Sequence, residues 1–198
     1  MQNSTAKNVK EKQMNKQELR NLIKEKGKLF FQNPHHKPDA SFDIGKKICA
    51  SPEFKNAEVV FAFMPMEDEV NIGGVILEAF MSGKKVAVPK IKDENGGMKF
   101  HWISASEDMS QGPFGIYEPA SMIPINMECV PPNSLILVPG LAFTKDGKRL
   151  GRGKGFYDRF LAEYKDRFFK MGICFDFQIM DDIPVDGNDV FVDKVISA

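Results

Sequence analysis

Residues Leu135 to Leu161 read LILVPGLAFTKDGKRLGRGKGFYDRFL, and this stretch organises the chain. The apolar run Leu135–Val138 has the length and continuity of a strand buried on both faces, stopped by Pro139-Gly140. A polar turn follows at Lys145-Asp146-Gly147, and then Gly151, Gly153 and Gly155 alternate with Arg152 and Lys154. From Phe156 on, Tyr157, Phe160, Leu161, Tyr164 and Phe168 recur at helical spacing, which predicts a helix starting where the glycines end. The order strand, basic glycine loop, helix N-terminus suits an anion, because glycines let backbone N–H groups approach a ligand and the helix start adds unpaired donors. Residues 145–159 hold six Lys/Arg against two Asp, a local excess of four positive charges. Spacing alone favours polyphosphate binding over a solvated basic loop. The stretch is neither a Walker A motif nor a GxGxxG dinucleotide fingerprint: Lys148 stands where the first Walker glycine belongs, and Gly155 follows Gly153 directly after Lys154.

Outward from this segment, the pattern alternates strands and helices. A helix is expected over Lys16–Phe31, with Leu19, Leu22, Ile23 and Phe30 on one side and Lys16 and Arg20 together on another. On pattern alone the two cations read as a solvated edge. Asn33–Pro38 reads as a loop with surface histidines His35 and His36, and Ser41–Ala50 as a second helix. Glu58–Met64 is a buried strand that runs out into Pro65-Met66-Glu67-Asp68-Glu69, where a parallel sheet would open a site. A helix through Ile72–Phe80 ends at Ser82-Gly83; strands are expected at Lys85–Pro89, Met98–Ile103, Met171–Phe175 and Val190–Ile196. Ser104–Asn133 shows little regular pattern, and Val185–Asp189 is a polar turn. Together these predict a three-layer α/β domain over residues 15–198 with a largely parallel sheet, behind a loose polar tail at residues 1–14.

Composition narrows the function. Of 198 residues, 42% are apolar and 27% charged, with zero formal net charge, so no global field draws the chain to nucleic acid or membrane. Cys49, Cys129 and Cys174 are scattered, expected as core or boundary thiols, and fit a reducing cytoplasm. The N-terminus lacks the apolar stretch of a signal peptide.

The segment PGLAFTKDGKRLGRGKGFYDRFL closely resembles the signature of the 5-formyltetrahydrofolate cyclo-ligase family, a PG-aromatic-turn segment followed by RLGRGxGYYD, with Phe156 in place of the first Tyr. Gly112–Pro119 (GPFGIYEP) matches that family's PFGIxEP segment, where Phe114, Ile116 and Tyr117 read equally as a rigid loop or as walls for a flat ring. The resemblance implies a fold related to sugar-phosphate isomerases and CoA transferases, and ATP-dependent closure of 5-formyltetrahydrofolate to 5,10-methenyltetrahydrofolate by a monomer. It reverses the bland reading of the first helix: Lys16 and Arg20 would contact ATP, as would Arg149, Leu150, Gly151, Arg152, Gly153, Lys154, Gly155, Phe156 and Tyr157. Met64 and Glu69 would line the folate site with residues 152–156, and Asp158 and Asp189 would hold Mg²⁺. Arg152, Lys154 and Tyr157 are the expected catalytic groups. Two other readings stay open: a sugar-phosphate enzyme or small-molecule kinase on the same fold, and a nucleic-acid module stacking bases on Tyr117, Phe156 and Tyr157.

Overall fold

The computed structural model of the chain describes residues 14–91, 97–104, 109–111, 117–119, 124–132, 134–164 and 167–198. The tail at residues 1–13 and Phe114 and Ile116 lie outside them, as does the side chain of Tyr117.

Asn15 starts the first helix, α1 (Lys16–Phe31), by accepting from the amides of Gln17 and Glu18, while Glu18 returns a bond to the Asn15 amide at 2.8 Å. This reciprocal cap fixes the helix start and so the direction in which Lys16 and Arg20 project. Helix α2 (His36–Ala50) begins earlier than its apolar pattern suggests. Its first turn takes in Lys37 and Pro38, because a proline there lacks only an amide that would have no helical partner. A short helix, α3 (Pro52–Asn56), is capped by Ser51 and has no counterpart in the sequence reading.

The strands in chain order are β1 (Val59–Phe61), β2 (Lys85–Ile91), β3 (Met98–Ile103), β4 (Met109–Gln111), β5 (Tyr117–Pro119), β6 (Ser134–Pro139), β7 (Ala142–Phe143), β8 (Arg149–Leu150), β9 (Phe168–Cys174) and β10 (Lys194–Ser197). Six of them form the main sheet in the order β10-β9-β6-β1-β2-β3, parallel throughout except for β3, which runs antiparallel to β2. β4 pairs with β5, and β7 with β8, as separate antiparallel ribbons.

The central strand β6 shows why this is a layered α/β fold. Leu135 and Leu137 pack on one face with Ile44 and Ile48 of α2 and with Val75 and Ala79 of α4 (Gly73–Met81). Ile136 and Val138 pack on the other face with Phe160 and Leu161 of α5 (Phe156–Glu163). Both faces are covered, so the strand is apolar at every inward position. A third cluster joins Leu19 and Ile23 of α1 to Ala142, Leu150 and Ile183, and it ties the first helix to the β7–β8 ribbon.

Three expected boundaries move. Phe168 continues the helical spacing but opens β9: its ring packs 4.7 Å from Phe61 and 5.7 Å from Phe160, so helix and strand bury onto one face and the spacing runs across their junction. The last strand starts at Lys194 rather than Val190, because the Val192 amide bonds Gly147 O at 2.9 Å and the Asp193 amide bonds Lys170 O at 2.8 Å. β1 spans only Val59–Phe61, after which the chain turns toward the acidic segment. Cys174 is buried and Cys49 half-buried, but Cys129 is exposed in the 3₁₀ turn Met127–Cys129, contrary to its expected boundary place. No helix among the described residues is long and apolar enough to cross a membrane.

Two features shape the segment after β6. The Phe143 ring fills the space beside two glycines: a β-carbon would lie 2.7 Å from it at Gly140 and 2.5 Å at Gly172. At the tip of the β7–β8 ribbon, Gly147 has φ +90°, and a β-carbon there would lie 2.1 Å from Val192 O. Only glycine fits that turn.

Candidate active site

The loops leaving the C-terminal ends of β1 and β6 meet the N-terminal half of α1 and the turn at residues 185–189. From β6, Pro139-Gly140-Leu141 is held by the buried Gln178, whose amide donates to Gly140 O at 3.1 Å and Leu141 O at 3.0 Å. The β7–β8 ribbon then delivers Arg149 to a buried position, its side chain 4% exposed. Arg149 Nη2 donates to Asp158 Oδ1 at 2.6 Å, and the guanidinium lies 5.9 Å from the Tyr157 ring centroid. The predicted phosphate ligand Arg149 thus forms a floor beneath the loop, paired with a predicted metal ligand.

The glycine segment runs over that floor. Gly155 caps α5 in the left-handed region (φ +67°), with no side chain capping the helix, so its first amides face the loop. Lys154 is exposed, and its amine bonds no described residue. Its carbonyl accepts from Arg159 Nη2 at 2.9 Å. Leu150 is buried in the cluster with α1. Arg20 Nε donates to Gly151 O at 3.1 Å, and its guanidinium lies 3.5 Å from where a Gly153 β-carbon would be. Lys16, one turn away, donates to Asp186 at 2.7 Å and Asp189 at 2.6 Å. Burial pulls the Lys16 amine down, but the two carboxylates outweigh it and hold it above its ordinary value.

The acidic segment after β1 reaches the same place. Arg152 Nη2 donates to Asp68 Oδ1 at 2.6 Å and to Glu69 Oε1 at 3.2 Å, and Nε donates to the same Glu69 oxygen at 3.2 Å. Glu69 Oε2 accepts from the Met66 amide at 2.9 Å. Burial pushes the Glu69 carboxyl up; the Met66 amide and Arg152 offset this only in part. The Tyr157 hydroxyl is buried without a hydrogen-bond partner among the described residues, and burial, with the nearby Glu69 charge, pushes the phenol above its ordinary range. Met64 is half-buried and packs on the α2–α4 side.

Asp158 Oδ1 also accepts from the Val190 amide at 3.3 Å, which draws it beside Asp189. Each of these carboxylates is engaged through one oxygen, Asp158 by Arg149 and Val190, and Asp189 by Lys16 and the Asp186 amide at 2.6 Å. Their other oxygens make no bond among the described residues. That is a fit for Mg²⁺, which takes one or two carboxylates and keeps its remaining positions for water and phosphate. No group of three or more metal-ligating side chains occurs among the described residues.

The family model of the 5-formyltetrahydrofolate cyclo-ligase family matches residues 12–198. The chain belongs to that family. Mouse 5-formyltetrahydrofolate cyclo-ligase is 32% identical over 162 residues, covering 77% of this chain and 79% of the mouse protein. The mitochondrial cyclo-ligase of Arabidopsis thaliana is 30% identical and covers 92% of this chain and 77% of its own length. The NMR structure of Aquifex aeolicus 5,10-methenyltetrahydrofolate synthetase superposes with a TM-score of 0.77 at 29% identity, covering 93% of this chain and 90% of that one.

Within this cyclo-ligase the expected groups split into two arrays that share Arg152. Lys16, Arg20, Asp189 and the glycine loop form one; Glu69, Arg152 and Tyr157 form the other. Asp68 and Asp186 were not singled out by sequence, although both lie in polar turns already marked as site-bearing. Their signal was proximity in sequence to Glu69 and Asp189, and only the folded chain reveals which cation each one meets.

Proposed function

We propose that this cyclo-ligase converts 5-formyltetrahydrofolate to 5,10-methenyltetrahydrofolate at the expense of ATP, releasing ADP and phosphate. The observation that carries this reading is the Arg152–Glu69 contact, which joins a cationic glycine loop to a buried carboxylate from a different strand end. A reaction between a nucleotide and a flat, hydrogen-bonding ring system needs both within one side chain's length.

A formamide carbon is a poor electrophile and its oxygen a poor leaving group. Transfer of the γ-phosphoryl group to the formyl oxygen breaks the bond to ADP and corrects both faults. The neighbouring substrate nitrogen then bonds the formyl carbon and loses its proton, the C–O bond breaks, and phosphate departs. The protein's part is positioning and charge neutralisation. Lys154 and Arg152 act on the transferring phosphate, with loop amides from residues 151–156, while Lys16 and Arg20 hold the nucleotide from α1. Arg149, fixed by Asp158, supplies field from below. Glu69 accepts from the pterin, Met64 borders it, and the Tyr157 hydroxyl orients the formyl group. Asp158 and Asp189 are the groups that would hold Mg²⁺, which neutralises phosphate charge when bound.

All of these groups come from one chain, which supports action as a monomer, and the zero net charge and scattered thiols support a cytosolic protein without a nucleic-acid partner. A family match spanning residues 12–198 favours neither the sugar-phosphate nor the nucleic-acid reading. Mixing the protein with MgATP and 5-formyltetrahydrofolate tests the proposal: the methenyl chromophore should appear, and its absence with folded protein would overturn the reading.

A further inference from the structure

The proposed reaction sets Arg152 on the transferring phosphate and Glu69 on the pterin, yet the two are bonded to each other. Arg152 uses Nε and Nη2 on a single Glu69 oxygen, and the Met66 amide uses the other. A carboxylate oxygen offers two lone pairs, so Glu69 Oε1 is filled while Oε2 keeps one; a pterin that offers a donor to each oxygen engages both only after Arg152 moves. Asp68 holds the other side of the same guanidinium nitrogen with the shortest of these bonds, 2.6 Å. Its side chain is 46% exposed, whereas that of Glu69 is 12% exposed.

We propose that Asp68 is a positioning residue that parks Arg152 on Glu69, so that the nucleotide and folate sites are positively coupled through one ion-pair latch. The inference rests on the assignment of Arg152 to phosphate and Glu69 to folate. A nucleotide arriving alone draws Arg152 away and strands the Glu69 charge in a desolvated position. A folate arriving alone must displace Arg152 from Glu69 and, because one guanidinium nitrogen serves both carboxylates, must break the Asp68 bond as well. The Arg152 side chain is 36% exposed and that of Glu69 12%, so separating them costs most at Glu69, whose charge is left poorly solvated. Either ligand alone therefore bears the whole cost of opening, and the second finds the latch already open. Asp68 adds to that cost without contacting either ligand. The site thereby disfavours half-filled states.

Calorimetric titration of 5-formyltetrahydrofolate, with and without saturating magnesium β,γ-imido-ATP, which cannot transfer its phosphoryl group, tests this. In the parent protein the nucleotide analogue should tighten folate binding about tenfold, within the usual span of coupling between sites. In Asp68→Asn, folate alone should bind several-fold tighter than to the parent, its affinity with the analogue should hardly change, and the ratio should fall to about twofold. Asp68→Glu, which can remake the pair, should restore most of the ratio. A merely structural Asp68 would weaken binding in both states. Equal folate affinity with and without the analogue in the parent, or an undiminished ratio in Asp68→Asn, would overturn the latch while leaving the proposed reaction intact if the chromophore forms. A parent protein that binds no 5-formyltetrahydrofolate in either state would overturn the proposed function and the latch together.

Discussion

Lys16 Nζ lies 2.6 Å from Asp189 Oδ2, across 173 residues of chain. The first turn of the first helix and the last turn before the final strand thus form one ionic contact, beside the Arg149–Asp158 pair that underlies the glycine loop. Two carboxylates with similar expected roles sit in unlike surroundings.

The difference predicts unequal cost. Asp158→Asn leaves the buried Arg149 charge without its partner and should destabilise the fold by about 3 kcal/mol. Asp189→Asn leaves Lys16 its second carboxylate, Asp186, and should lose no more than about 1 kcal/mol. Urea unfolding of the two variants measures both. Each should also raise the Mg²⁺ concentration for half-maximal activity; unchanged midpoints in both would make the aspartates purely structural.

Lys154→Ala should fold normally, because the side chain is exposed and its amine bonds no described residue. A cation acting on the moving phosphoryl group matters most in the transition state, so kcat should drop roughly a hundredfold or more while nucleotide affinity changes far less. Steady-state kinetics at varied ATP separate the two. A variant with near-parental kcat would reduce Lys154 to a solvated lysine.

Glu69 gives a pH signature. Its folded carboxyl titrates above the ordinary 4.5. The folded state therefore binds more protons than the unfolded chain between that value and the raised one, and stability falls as pH climbs through the interval. Its contribution is full below pH 4.5 and lost above the folded value. Glu69→Gln should lack this decline, so that the difference between variant and parent unfolding free energies changes with pH across the interval, and should weaken folate binding about tenfold or more. Parallel pH slopes for the two proteins would contradict the assignment.

Gly147→Ala places a methyl group against Val192 O in a backbone conformation (φ +90°) that alanine avoids. It should cost at least about 2 kcal/mol. Because the same turn leads into the strand that begins with Arg149, nucleotide affinity should fall with stability. A thermal melt and a nucleotide titration on one preparation report both.

The sheet was legible in the sequence because β6 and its neighbours are apolar without interruption, and the helix α1 because its apolar residues keep a helical period. The phosphate-type loop was legible because alternating glycines and cations before a helix have few other uses. Strand order was not legible, since an apolar strand buried on both faces carries no mark of its neighbours. Nor was the pairing of charges. Arg149 looks like its neighbours Arg152 and Lys154 in the sequence, and only the β7–β8 ribbon turns it inward to Asp158. The start of α2 was misread because Pro38 suggests a loop unless it falls in a first helical turn.

One ring beneath the site carries a consequence for related sequences. Phe143 occupies the volume that side chains at Gly140 and Gly172 would need, at a point where β6, β9 and the β7–β8 ribbon converge. The three positions behave as a single allotment of space. A larger residue at 172 becomes tolerable only alongside a smaller one at 143, so variants harmful singly should be compatible in pairs. Among diverging cyclo-ligases, these positions should therefore change together or not at all.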